Sequence, residues 1–188
     1  MTKKAILFGS IGAVAETSDI QREAYNSALS DAGLDWQWDR DTYSQLLESA
    51  GGKERLGMLS SATSASLSDE QIDSIHASKT EAAGKSMREQ GVSPRPGVAE
   101  LIAHAKEQGM KVGFVTTTYE PNIDAVFDAA GDSLSRDDFD YIGTRGDVEE
   151  GKPSPDAYER ALREMDLSPE DCLAIEDTAN SVMSAKRA

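Results

Sequence analysis

Cysteine is almost absent from this chain of 188 residues: Cys172 stands alone, so no internal disulfide can form. Its neighbours Leu173, Ala174 and Ile175 predict a buried, unreactive thiol. Basic residues are also scarce, with 19 Lys and Arg against 34 Asp and Glu and a formal net charge of −15. A surface this acidic repels nucleic acid and anionic lipid, so neither is an expected partner. It repels a phosphorylated ligand too, unless a local group of cations reverses the field. No apolar run approaches the length needed to span a bilayer. Met1-Thr2-Lys3-Lys4 runs into an apolar segment without a signal-peptide block, so the expected location is cytoplasmic.

What the chain does have is an alternation of apolar runs and helical patterns. Lys4–Phe8, Lys111–Val115, Phe139–Ile142 and Cys172–Glu176 read as parallel strands. Val98–Gln108, Pro121–Ala129 and Pro155–Met165 read as crossover helices, which predicts an α/β fold with a Rossmann-like parallel sheet. Residues 18–93 break the alternation with helix after helix: Asp19–Ala32, Arg40–Ser49 and Ser68–Gln90, the last opened by a Ser68/Gln71 capping box. The expected division is a core of 1–17 and 94–188 with an all-helical cap at 18–93, Pro94-Arg95-Pro96-Gly97 being the return hinge. Ser60–Ser66 reads as a low-complexity loop. A doubly wound sheet normally gains a further strand after the pattern ending at Ala188, so a final core strand is expected to be missing.

Three strand ends carry candidate chemistry. Val115-Thr116-Thr117-Thr118 places hydroxyls and backbone N–H groups where they can hold a phosphate oxygen, though a β-branched strand end reads equally well. Gly151-Lys152-Pro153-Ser154-Pro155 sets a lysine in a rigid turn before a helix. Ala174-Ile175-Glu176-Asp177-Thr178 ends a strand on two acids, which suit Mg²⁺ or else a helix N-cap and its solvated neighbour. Arg22, Lys53 and Arg55 supply cations from the helical segment, with Arg22 the most readily explained as a solvated helix position. Glu16 follows the first strand's turn.

Together these motifs resemble the haloacid dehalogenase superfamily, in the helical-cap sugar-phosphate group. Within it the chain is similar to β-phosphoglucomutase and the Calvin-cycle xylulose-1,5-bisphosphate phosphatases. Gly51-Gly52-Lys53-Glu54-Arg55 and Trp36-Gln37-Trp38-Asp39 favour the bisphosphate phosphatases, whereas Gln21 stands where those enzymes commonly carry histidine. The resemblance implies phosphate binding by Thr116, Thr117 and Lys152, and substrate contacts from Glu16, Arg22, Lys53 and Arg55. It also implies Mg²⁺ on Asp177, with Glu176 beside it and the Ile11 carbonyl as a further ligand.

The same resemblance implies an Asp-x-Asp-Gly motif after the first strand. There the first aspartate attacks phosphorus and the second moves protons. This chain has Phe8-Gly9-Ser10-Ile11-Gly12 instead. Glycine cannot attack, isoleucine cannot transfer a proton, and one carboxylate ligand is gone, so Mg²⁺ is expected to be weakened or absent. Ser10 is expected to point away from the site by strand alternation. Three readings follow: a non-catalytic binder of phosphate or a small phosphorylated metabolite, an active Mg²⁺-dependent phosphatase using altered chemistry, and a regulatory or protein-interaction module.

Overall fold

The structure is a computed structural model describing residues 3–47, 51–63 and 66–188. The expected helix end at Ser49 and part of the expected loop at Ser60–Ser66 lie outside the described residues.

Four parallel strands form one sheet: β1 (Ala5–Phe8), β2 (Lys111–Val115), β3 (Tyr141–Gly143) and β4 (Cys172–Ile175), in the order β3-β2-β1-β4. In register, Ala5 faces Lys111 on one side and Cys172 on the other, and Phe8 faces Phe114 and Ile175. All four residues of β1 are buried, as expected for a strand covered on both faces. Period-two geometry sorts its side chains. Ile6 and Phe8 join a cluster with Ile102 of α6 (Val98–Glu107) and Ile123 and Phe127 of α7 (Glu120–Ala130). Ala5 and Leu7 join the opposite cluster with Ala157, Ala161 and Met165 of α8 (Asp156–Met165).

Between β1 and β2 run a single-turn helix, α1 (Ile11–Val14), and then α2 (Ser18–Asp31), α3 (Arg40–Leu47), α4 (Gly52–Ala62) and α5 (Asp69–Gln90). This insertion has its own core of Tyr25, Leu29, Trp38, Tyr43, Leu56 and Ile75. The Ser68/Gln71 capping box opens α5. Along α5 the buried positions Ile75, Lys79, Ala83 and Met87 recur every four residues. Ile75 packs in the insertion's core while Ala83 and Met87 pack against the sheet-side cluster, so one helix joins both cores. The two connections pair with each other. Ala15 bridges Pro94, and the Arg95 backbone N–H donates to the Val14 carbonyl at 2.7 Å.

Three expectations are corrected. Helix α4 was hidden because Gly52, Gly57 and its serines leave no continuous apolar stripe, and Ser60–Ala62 belong to it rather than to a loop. The third strand starts at Tyr141, because Phe139 closes a 3₁₀ turn over Arg136–Asp138 and turns its ring into the core. Cys172 is half-buried rather than buried, since β4 is an edge of the sheet and leaves Leu173 47% exposed. Among the described residues no helix is long and apolar enough to cross a membrane.

Candidate functional site

The carboxyl ends of β1, β2 and β4 open beneath the insertion into a cavity of about 370 Å³. From below it is lined by Ser10, Ile11, Gly12, Thr117, Thr118, Lys152 and Asp177, and from above by Tyr25, Tyr43, Arg55, His76 and Lys79. Its charged lining is Arg55, Lys79, Arg145 and Lys152 against Glu54 and Asp177. Arg55, Arg145, Lys79 and Lys152 bring positive charge into the lining of a chain carrying −15, although Glu176 offsets Lys152 and burial partly discharges Lys79.

At the floor, the space around Gly9 is taken. A Cβ placed there would lie 1.9 Å from Glu176 Oε1 and 2.3 Å from Tyr158 Oη. Glu176 Oε1 accepts from Tyr158 at 2.7 Å and from Lys152 Nζ at 2.5 Å, and Lys152 also donates to the Gly9 carbonyl. The Lys152 and Glu176 side chains are 7% and 2% exposed. Burial pushes the Lys152 ammonium down and the Glu176 carboxyl up, and each is partly compensated by the other's charge.

Next to it, Asp177 is committed to the β1 turn. Ser10 Oγ donates to Asp177 Oδ1 at 2.8 Å while capping α1 through the Ala13 N–H at 3.0 Å. The expectation that Ser10 points away is corrected: strand geometry stops at Phe8, and as a helix cap the serine turns into the cleft. The other oxygen, Asp177 Oδ2, sits 1.9 Å from where a Cβ on Gly12 would be. Only glycine permits that approach.

The expected Mg²⁺ ligands already have partners within the protein, and near-octahedral ligation here would need waters or ligand oxygens to complete it. Asp177 is bonded to Ser10, Glu176 turns its carboxylate to Lys152 and Tyr158, and the Ile11 carbonyl accepts from Ala15 at 2.7 Å. Among the described residues no three His, Cys, Asp or Glu side chains converge as a metal site. Weakened or absent Mg²⁺ is the expectation from sequence, and these bonds give its expected ligands other partners.

Other expected residues divide. Thr117, Lys152 and Arg55 line the cavity. Thr116 does not: it is 2% exposed and its hydroxyl bonds Thr118 at 3.0 Å, so Thr117 and Thr118 face the cleft instead. Arg22 spends its guanidinium on the Trp38 carbonyl at 3.2 Å, a bond inside the insertion. Lys53 pairs with Asp73 at 2.6 Å outside the cavity lining. Glu16 does not lean in, since Arg95 holds it at 2.6 Å.

The cavity lining also holds Lys79, His76 and Arg145, which the sequence reading did not single out. A signal for Lys79 existed, because it interrupts an otherwise apolar every-fourth stripe on α5. Its ammonium lies 4.7 Å above the Tyr25 ring. Burial, reinforced by Arg55, lowers its pKa to about 7. His76 falls to about 4, chiefly by burial and then by repulsion from Lys79, Lys53 and Arg55.

A pH dependence follows for Lys79, which Arg55 faces from α4, Tyr25 from α2 and His76 from its own helix. Between about 7 and its ordinary 10.5 the unfolded chain holds a proton that the folded chain has released. Stability therefore rises with pH across that window. Tyr25, kept protonated by burial, opposes the trend only above 10.0. Urea unfolding is expected to show a gain of about 2–4 kcal/mol from neutral pH towards pH 10, and Lys79→Met should flatten it.

Residues 4–188 match the family model described as haloacid dehalogenase-like hydrolase. Protein CbbY of Cereibacter sphaeroides is 41% identical over 185 residues, covering 98% of this chain and 80% of that protein. The crystal structure of CbbY from Rhodobacter sphaeroides in complex with phosphate aligns with a TM-score of 0.90 at 40% identity, over 98% of this chain and 82% of that one. A variant of the same CbbY was crystallised in complex with xylulose-(1,5)bisphosphate. On the strength of sheet order, helical insertion and sequence, this chain belongs to the haloacid dehalogenase-like hydrolase family, alongside the CbbY proteins.

Proposed function

We propose that this protein binds phosphate or a small phosphorylated sugar in the cleft and does not turn it over. On this reading residues 18–93 act as a cap over the core of 1–17 and 94–188. Thr117, Thr118 and Lys152 take the phosphate, and Arg55 and Lys79 take the far end of the ligand. The observation that carries the reading is at Gly9: no carboxylate stands there to attack phosphorus, and its space is packed by Glu176 and Tyr158. Ile11, two residues on, cannot move a proton. The absence of both groups removes about four to six powers of ten in rate relative to an enzyme that has them. Losing two negative charges also removes repulsion towards an anion, so binding persists without a metal. The phosphate and xylulose bisphosphate held by CbbY structures support the ligand class.

Calorimetry with inorganic phosphate, alongside p-nitrophenyl phosphate assays with and without Mg²⁺, tests this. Saturable binding unaffected by chelator, with no turnover above background, is the expected result. Mg²⁺-dependent hydrolysis abolished by Asp177→Ala overturns it in favour of an active phosphatase with altered chemistry.

A further inference from the structure

Lys79 is a buried lysine in the lining of a ligand-sized cleft, 5% exposed and without a carboxylate partner among the described residues. Its ammonium lies over the face of Tyr25, and the charge that acts on it is the cation of Arg55. A lysine with an apolar wall on one side and a like charge on the other is an amine held near neutrality. Across the cleft stand the hydroxyls of Thr117 and Thr118 and the ammonium of Lys152.

We infer that Lys79 is a carbonyl-reactive amine, and that the cleft accepts an open-chain phosphorylated aldehyde or ketone which condenses with it. This rests on the phosphate-site reading above and narrows its ligand class. The Nζ lone pair attacks the carbonyl carbon as the C–O π bond breaks onto oxygen, giving a carbinolamine. The nitrogen gives up a proton and the hydroxyl leaves as water, so amine and carbonyl yield imine and water with no oxidant or reductant. The reaction is reversible, and it retains a sugar phosphate rather than consuming it. Holding the ligand's phosphate at the opposite wall raises the local concentration of its carbonyl at Lys79.

The test uses pyridoxal phosphate, a phosphorylated aldehyde, with borohydride reduction at neutral pH and mass-spectrometric mapping of every lysine. Lys79 is expected to carry at least about tenfold more label than exposed Lys85 or Lys106, because its neutral fraction is far larger than that of an ordinary lysine. Excess inorganic phosphate should strip that label, and pyridoxal without its phosphate should label Lys79 weakly. Lys79→Met, which keeps the side-chain length but cannot form an imine, should lose the label, with a cooperative melt showing that the variant is folded. Label confined to surface lysines or to Lys152, in protein that binds phosphate by calorimetry, overturns this inference alone. Equal labelling of Lys79 by both aldehydes, with no phosphate binding by calorimetry, overturns the phosphate site and the ligand class together.

Discussion

Replacing Lys152 with methionine is expected to lower folding stability by about 3–5 kcal/mol and to abolish phosphate binding. The stability loss comes less from the lost ammonium than from what it leaves behind. Glu176 is almost fully enclosed, and its Oε2 is already buried without a hydrogen-bond partner among the described residues. Without Lys152 the carboxylate keeps one neutral donor, the Tyr158 hydroxyl. It must then stay charged in a poor solvent or take up a proton. The second course predicts a signature: the penalty should shrink as pH is lowered, because burial already holds the Glu176 carboxyl above its ordinary value. A folded-state pKa above the unfolded one makes protonation stabilising, so the deficit is largest at neutral pH. Adding Glu176→Gln to Lys152→Met should recover most of the loss, since the amide needs no counter-charge. Urea unfolding at neutral and mildly acidic pH checks both statements. A single-variant loss below about 1 kcal/mol at neutral pH would mean the pair is not ionised in the folded protein.

Gly9→Asp, the substitution that installs a carboxylate at the end of β1, is expected to destabilise the protein by about 2–4 kcal/mol and to leave turnover absent. Its first side-chain atom would meet Glu176 Oε1 and Tyr158 Oη well inside contact distance. Both belong to buried side chains tied into one hydrogen-bonded group with Lys152, so yielding means dismantling that group. A new carboxylate would also add negative charge beside Glu176. Gly9→Ala separates the causes, because it keeps the steric conflict and omits the charge. Thermal melts and phosphatase assays of the two variants give the answer. A Gly9→Asp protein as stable as its parent would show that Glu176 and Tyr158 give way freely, and that the glycine is not what the floor is built around.

Much of the architecture was legible because it depends on pattern. β1 and β2 are apolar runs flanked by helical periodicity, and the observed strands lie within a residue of the expected ones. The capping box of α5 was legible for the same reason, as a local signature with a local cause. What failed depended on where an element ends. Thr116 was expected in the cleft, but its hydroxyl turns back to bond Thr118 and the chain opens one residue later. Ser10 was assigned by alternation one step after alternation had ceased. Lys79 drew no notice because an isolated lysine in a helix is ordinarily solvated, and only the stripe around it marks the exception.

Arg95 ties three parts of the connection together. Its Nε donates to the Gly12 carbonyl at 2.6 Å, its guanidinium pairs with Glu16 at 2.6 Å, and its backbone bonds Val14. The point where the helical segment rejoins the sheet is thereby riveted to the same tight turn that carries Ser10 against Asp177. On the reading of residues 18–93 as a cap, swinging the helices would strain that turn, and a guest that immobilises the turn would stiffen the pivot. Slower amide exchange near Ala15 and Arg95 when the cleft is filled would register that shared movement.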